Sequence, residues 1–220
     1  MEKVWVLKRI EEVGVVPVVR AASADEAIAI ADVIREGGIP ILEITMTVPG
    51  AISVIAELSK RYGDEVLVGA GTVLDPETAR SCIAAGAQFI VSPALNVQTI
   101  ELCKLQRITI FPGALTPTEV VTAWDAGADA VKVFPCSAMG GASYLRALKA
   151  PLPEVRLVPT GGVSLTTAKD FIAAGAWAIG VGSDLVNTKA IKAGDRESVV
   201  AAARSYVAAV REARAALQEV

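Results

Sequence analysis

The chain has 220 residues, of which 53% are hydrophobic, 20% charged and 5% aromatic, with a formal net charge of −3. That length suits one domain with a substantial core, filled here by Val, Ile, Leu and Ala rather than by rings. The slightly acidic balance, without any basic block, excludes nucleic acid as the main partner, and no apolar run approaches the roughly 20 residues that span a bilayer.

Further absences narrow the chemistry. The chain contains no histidine, which excludes serine–histidine triads and most zinc or iron sites. Proton transfer is left to carboxylates, lysine, tyrosine, thiol or water. Cys82, Cys103 and Cys136 are odd in number and match no metal spacing, so they read as reduced thiols of a cytoplasmic protein. The opening Met1-Glu2-Lys3-Val4-Trp5 carries no apolar segment of the signal-peptide kind.

In chain order, a helical pattern at 2–12 precedes a strand candidate at 14–20. Further strand candidates lie at 40–46, 66–72, 89–93, 109–113, 130–134, 156–160 and 178–182. Helical patterns follow them at 24–36, 50–62, 76–85, 96–105, 117–126, 142–149 and 166–174, with a short one near 184–191 and a long one at 196–217. Most strand runs are apolar on both faces, as in buried parallel sheets. Arg-Glu-Gly-Gly-Ile (35–39), Ala-Ala-Gly-Ala-Gln (84–88), Asp-Ala-Gly-Ala-Asp (125–129) and Ala-Ala-Gly-Ala-Trp (173–177) each close a helical pattern with glycine in the place of a left-handed cap. Their spacing, roughly 40 to 50 residues, is that of two strand–helix units. Eight alternations predict an α/β fold, a single (β/α)8 barrel of the TIM type over residues 1–220, flanked by an N-terminal and a C-terminal helix. An open doubly wound sheet is the alternative, but it does not explain the fourfold repeat.

Barrels of this type carry their site at the carboxyl ends of the strands. Here those ends hold Arg20, Glu43 with Thr45, Gly71-Thr72, Ser92-Pro93, Pro112-Gly113, Lys132 with Phe134, Thr160-Gly161-Gly162 and Gly182-Ser183. Lys132 and Glu43 are the two charged residues within otherwise apolar strands. An ammonium in such surroundings has to be paired or lose its proton, because desolvation disfavours the cation. A neutral lysine is an amine nucleophile that condenses with carbonyls to a Schiff base. Alternation puts Ala130, Lys132 and Phe134 on one face, and Ile41, Glu43 and Thr45 on one face of another strand. Taken alone, a lysine in a strand is more often a structural ion pair or a snorkelling side chain. A carboxylate on a second central strand, with a barrel to hold both, reverses that reading. Thr160-Gly161-Gly162 and Gly182-Ser183, after the last two strands, lie where many barrels bind phosphate through backbone N–H groups and helix amino termini. Gly69-Ala70-Gly71-Thr72 is ambiguous: its glycines allow tight packing, and the Thr72 hydroxyl could hold a carboxylate.

Six segments in order carry a resemblance: Leu-Glu-Ile-Thr (42–45), Val-Gly-Ala-Gly-Thr-Val-Leu (68–74), Phe-Ile-Val-Ser-Pro (89–93), Val-Lys-Val-Phe-Pro (131–135), Pro-Thr-Gly-Gly-Val (159–163) and Gly-Val-Gly-Ser (180–183). Over residues 10–215 the chain resembles the 2-keto-3-deoxy-6-phosphogluconate / 4-hydroxy-2-oxoglutarate aldolases. The resemblance implies a class I pyruvate aldolase without metal or cofactor, usually a homotrimer. It implies that Lys132 is the Schiff-base lysine, Glu43 the proton-shuttling carboxylate, and Thr72 the threonine beside the pyruvate carboxylate. Pro93 and Phe134 match pocket walls, Arg20 a basic position near the site, and Gly161, Gly162, Gly182 and Ser183 the phosphate end. One departure stands out. The gluconate-type enzymes commonly carry an arginine that helps bind the pyruvate carboxylate where this chain has Thr47, which makes Thr47 an expected substrate-binding residue; the 6-phosphogalactonate branch lacks the arginine and has a proline two positions on, like Pro49. The sugar is therefore left open between gluconate and galactonate. Two rivals from other classes are a barrel epimerase, whose histidine-bearing metal site this chain cannot build, and a non-catalytic sugar-phosphate sensor, against which Lys132 and Glu43 argue.

Overall fold

The computed structural model describes residues 2–218. Among the described residues nine strands, all paired in parallel, alternate with helices, except that the fifth and sixth strands follow one another directly. The strands are β1 (Val15–Val19), β2 (Ile41–Thr45), β3 (Leu67–Gly71), β4 (Phe89–Val91), β5 (Thr109–Phe111), β6 (Gly113–Ala114), β7 (Val131–Val133), β8 (Leu157–Pro159) and β9 (Ile179–Val181). The helices are α1 (Lys3–Val13), α2 (Ala24–Glu36), α3 (Ala51–Tyr62), α4 (Pro76–Ala84), α5 (Val97–Leu105), α6 (Pro117–Asp125), α7 (Ala142–Lys149), α8 (Leu165–Ala173), α9 (Thr188–Lys192) and α10 (Arg196–Gln218). Among the described residues no helix is long and apolar enough to cross a membrane.

The strands form a curled parallel sheet in two pieces, β5-β4-β3-β2-β1-β9 and β6-β7-β8, with one bridge from Thr160 to Gly180 between β8 and β9. The run expected as one strand at 109–113 is divided into β5 and β6. Pro112 stands at the break; it has no N–H to give to a ladder, although its carbonyl still accepts from Lys132 N–H at 2.9 Å. Every strand residue is buried, as the apolar runs require.

The fourfold repeat has a physical origin. After α2, α4, α6 and α8 the second residue is a glycine in the left-handed region, Gly38, Gly86, Gly127 and Gly175. In each case that glycine N–H returns to the carbonyl three residues back. The next N–H returns five back: Ile39 to Ile34, Ala87 to Cys82, Ala128 to Ala123 and Ala176 to Phe171. This is the double bond of a Schellman turn, which stops a helix and reverses the chain. The residue after it enters the sheet. Gln88 N–H donates to Val68 O while its side chain accepts from Val68 N–H, and Asp129 makes the same pair of bonds with Ile110. At the helix starts, Ser23, Asp75, Asn96 and Thr116 each accept the N–H three residues on, as good N-caps do.

Inside the curl, β3 makes room for its neighbours. A Cβ at Gly69 would stand 2.4 Å from the Phe89 ring. Phe89 in turn lies 6.0 Å from Phe111, which meets Trp177 edge-on at 5.9 Å. This aromatic stack joins β4 and β5 to the segment just before β9, and Phe111 is 1% exposed. Phe111→Ala should lower stability by about 3–5 kcal/mol, the usual cost of deleting a buried ring. Urea unfolding checks this; a loss below about 1 kcal/mol would mean that the stack collapses around the gap.

Candidate active site

Lys132 lies at the centre of β7 and Glu43 at the centre of β2, strands that do not pair with each other. Both side chains leave the sheet on its inner face and meet across the interior. Lys132 Nζ stands 3.6 Å from Glu43 Oε1, with the two side chains only 4% and 3% exposed. Of the two outcomes open to a buried lysine, the fold thus supplies the partner. The separation is too long for a good hydrogen bond, and Glu43 Oε1 accepts none from the described residues. Lys132 Nζ also faces the Phe134 ring, 5.5 Å from its centroid, within cation–π range.

The carboxylate has its place because β3 carries glycine beside it. Gly71 pairs with Thr45, and a Cβ there would stand 2.1 Å from Glu43 Oε1. Cys136, which follows Pro135, is buried, and burial pushes its thiol up to about 11. It remains protonated near neutrality and is no rival nucleophile. Among the described residues no cluster of three or more Cys, Asp or Glu could hold a metal ion.

Beside the pair opens a cavity of about 380 Å3 lined by Arg20, Phe134, Thr160, Gly161, Gly162, Gly182, Ser183 and Asp184, among others. Lys132 and Glu43 are not in its wall. Phe134 is the shared element, touching the cavity on one side and the ammonium on the other. Gly161 and Gly162 have φ of 87° and 75°, a left-handed pair that only glycine adopts readily. Among the described residues no group accepts from the N–H of Gly162, Val163 or Ser183. The cavity therefore offers backbone donors and one exposed guanidinium, the equipment of an anion site.

Of the residues singled out from the sequence, Arg20, Phe134, Gly161, Gly162, Gly182 and Ser183 share this cavity, and Lys132 and Glu43 form the pair beside it. Thr72, Pro93 and Thr47 lie outside its wall. Thr72 follows β3 with φ of 59°, a backbone strain of about 1–2 kcal/mol for a residue with a Cβ; such strain tends to persist at functional positions. Pro93 is packed closely by the backbone of Gly113, where a Cβ would stand 2.2 Å from the Pro93 carbonyl carbon. Thr47 is exposed and its hydroxyl lies 2.6 Å from Thr45 Oγ1, which itself donates to Val19 O at 2.9 Å. Since Thr45 has one proton and uses it on Val19, Thr47 is the donor to Thr45. Thr160, named with the glycine motif, also lines the cavity, whereas Val18, Ser164 and Asp184 were not singled out; a polar residue immediately beyond Gly182-Ser183 was the signal available for Asp184.

The glycine beside Glu43 can be tested directly. Gly71→Ala should drive the carboxylate away from Lys132, at an overpacking cost of about 1–3 kcal/mol. A crystal structure of the variant with the 3.6 Å pair intact would contradict this packing.

Comparison with known proteins supplies the family. The family model for KDPG and KHG aldolase matches residues 6–202. The chain is 36% identical over 198 residues, 90% of it and 94% of the relative, to the 2-dehydro-3-deoxy-phosphogluconate aldolase of Treponema pallidum. It is 37% identical over 199 residues, 90% of it and 95% of the relative, to the 2-dehydro-3-deoxy-6-phosphogalactonate aldolase of Escherichia coli. Among solved structures, the KDPG aldolase of Legionella pneumophila, with pyruvate captured as a covalent carbinolamine, superposes with a TM-score of 0.84 at 28% identity, covering 91% of this chain and 97% of that one. With a buried lysine–glutamate pair beside a glycine-lined cavity, and with these likenesses along nearly its whole length, the chain belongs to the KDPG and KHG aldolase family.

Proposed function

We propose that the protein is a class I aldolase that cleaves 2-keto-3-deoxy-6-phosphogluconate to pyruvate and glyceraldehyde 3-phosphate, with 4-hydroxy-2-oxoglutarate, giving pyruvate and glyoxylate, as a second substrate. The observation that carries this reading is the Lys132–Glu43 pair, a buried amine with a carboxylate 3.6 Å away that no other described group engages. Glu43 takes a proton from the Lys132 ammonium, and the neutral amine adds to the C2 ketone of the substrate. The carbinolamine so formed loses water, with Glu43 moving the protons, to give an iminium. The iminium accepts the electron pair of the C3–C4 bond as Glu43 takes the C4 hydroxyl proton. The aldehyde departs, the enamine is protonated at C3, and water releases pyruvate and restores the amine. The likeness to the Legionella protein, which holds pyruvate as a carbinolamine, supports the covalent route.

The remaining roles are those the family resemblance assigns to these residues. Thr72 binds the pyruvate carboxylate, and Pro93 and Phe134 wall the keto-acid end. Gly161, Gly162, Gly182 and Ser183 bind the phosphate in the cavity, with Arg20 adding charge. Thr47 contributes through Thr45 rather than by donating to substrate. A second reading, the 6-phosphogalactonate substrate, is favoured by that same threonine, because a hydroxyl whose proton is engaged replaces an arginine fork. We further propose that β5 and β6 act as one strand, so that the bridge from Thr160 to Gly180 completes an eight-stranded barrel forming a single domain. The assembly is a homotrimer and the compartment the cytoplasm. Exposed Leu74 and Val97, joined through the Asn96–Leu74 hydrogen bond, suit an interface between copies, and three unbridged cysteines suit a reducing compartment.

Pyruvate release from the gluconate and galactonate phosphates, with 4-hydroxy-2-oxoglutarate alongside, decides the substrate. Lys132→Ala should abolish turnover of whichever is cleaved, and Glu43→Gln should slow it by about 10² or more. Wild-type rates in the Lys132→Ala variant would sink the reading, and a faster galactonate reaction would select the second substrate.

A further inference from the structure

Asp184 lines the glycine cavity immediately after Ser183, and a carboxylate there is at first sight misplaced, since it repels any anion bound beside it. Its hydrogen bonds give it another task. One oxygen, Oδ2, accepts from Leu165 N–H at 3.1 Å, the first residue of α8, and from the Tyr206 hydroxyl on α10. Gly182 O accepts from Leu185 N–H and Val186 N–H, at 3.1 and 2.8 Å, so the turn that carries Asp184 is itself closed. Tyr206 is 0% exposed; burial, and then the Asp184 carboxylate, push its phenol up, so it stays a donor across the working range of pH.

The consequence for the cavity is geometric. Its unpaired N–H groups come from two loops, Gly162 and Val163 after β8 and Ser183 after β9. Among the described residues, the Asp184 carboxylate ties the second loop to the helix that continues the first, and Tyr206 holds that carboxylate from beneath. Resting on the reading that this cavity takes the substrate phosphate, we propose that Asp184, held by Tyr206, is a positioning residue for the phosphate end of the substrate. It sets the turn at 161–163 and the start of α8 against Ser183, so that backbone donors from both loops converge on one anion. The carboxylate's repulsion is the cost of this arrangement, and the tie offsets it.

The test compares the phosphorylated sugar acid that the enzyme cleaves faster with its dephosphorylated counterpart. In Tyr206→Phe, which removes one hydrogen bond of the tie, and in Asp184→Ala, which removes both, the preference for the phosphorylated form, as a ratio of kcat/KM values, should fall about tenfold or more. The fall should lie in KM rather than kcat. Asp184→Asn keeps an oxygen acceptor for both donors without the charge, and should retain or exceed the wild-type preference. Thermal melts of all three variants separate folding losses from this effect, since a merely structural role lowers activity on both substrates alike. Equal losses on both substrates, an unchanged ratio in Tyr206→Phe, or an Asp184→Asn variant as impaired as Asp184→Ala would each overturn the proposal. A wild type that makes no distinction between the two substrates would overturn the phosphate reading itself, a failure visible before any variant is made.

Discussion

The structure depends on holding an ammonium and a carboxylate together where neither is solvated. Lys132 and Glu43 have side chains 4% and 3% exposed and stand 3.6 Å apart. Removing one partner of such a pair typically costs about 3–5 kcal/mol, because the other charge is left buried alone, whereas apolar replacements of both are often neutral or stabilising. Stability alone therefore does not account for these residues at the centres of β7 and β2. Their surroundings are fitted to them: Gly71 leaves the space the carboxylate fills, and Phe134 offers its ring to the ammonium. The parallel sheet holds the two strands apart in sequence and together across the interior.

On the function proposed above, the site around that pair divides into a reactive end and an anion end. The reactive end is nearly closed to solvent and made of side chains. The anion end is an open cavity of about 380 Å3, made largely of backbone from the loops after β8 and β9. Phe134 belongs to both. A substrate with a ketone at one end and a phosphate at the other suits this layout, since the charge that gives affinity stays away from the amine that must shed its proton. Thr47 stands where the resemblance to the gluconate enzymes leads one to expect an arginine, and its hydroxyl turns back to Thr45.

Much of this was legible in the sequence because the signals were local. The Schellman glycines state where four helices end. Charges in apolar strands announced Lys132 and Glu43, and alternation gave each a face shared with its strand neighbours; that both faces point inward is shown by the contact between them. Other parts depended on contacts across the chain. Pro112 breaks a strand that reads as continuous, because apolar periodicity does not register a missing N–H. Asp184 gave only the weak signal of its place beyond Gly182-Ser183, since an acid after a glycine turn looks solvated, and Tyr206 gave none, since a tyrosine on an amphipathic helix looks like core. The hydrogen bond between them exists only once β9 and α10 are packed.

The central claim is covalent chemistry at Lys132, and trapping tests it most directly. The enzyme is incubated with pyruvate and sodium borohydride, and the modified peptide is located by mass spectrometry. The account predicts irreversible inactivation with a reduced pyruvyl adduct on Lys132, dependent on pyruvate. An enzyme that remains active and carries no adduct at Lys132 under those conditions would contradict it.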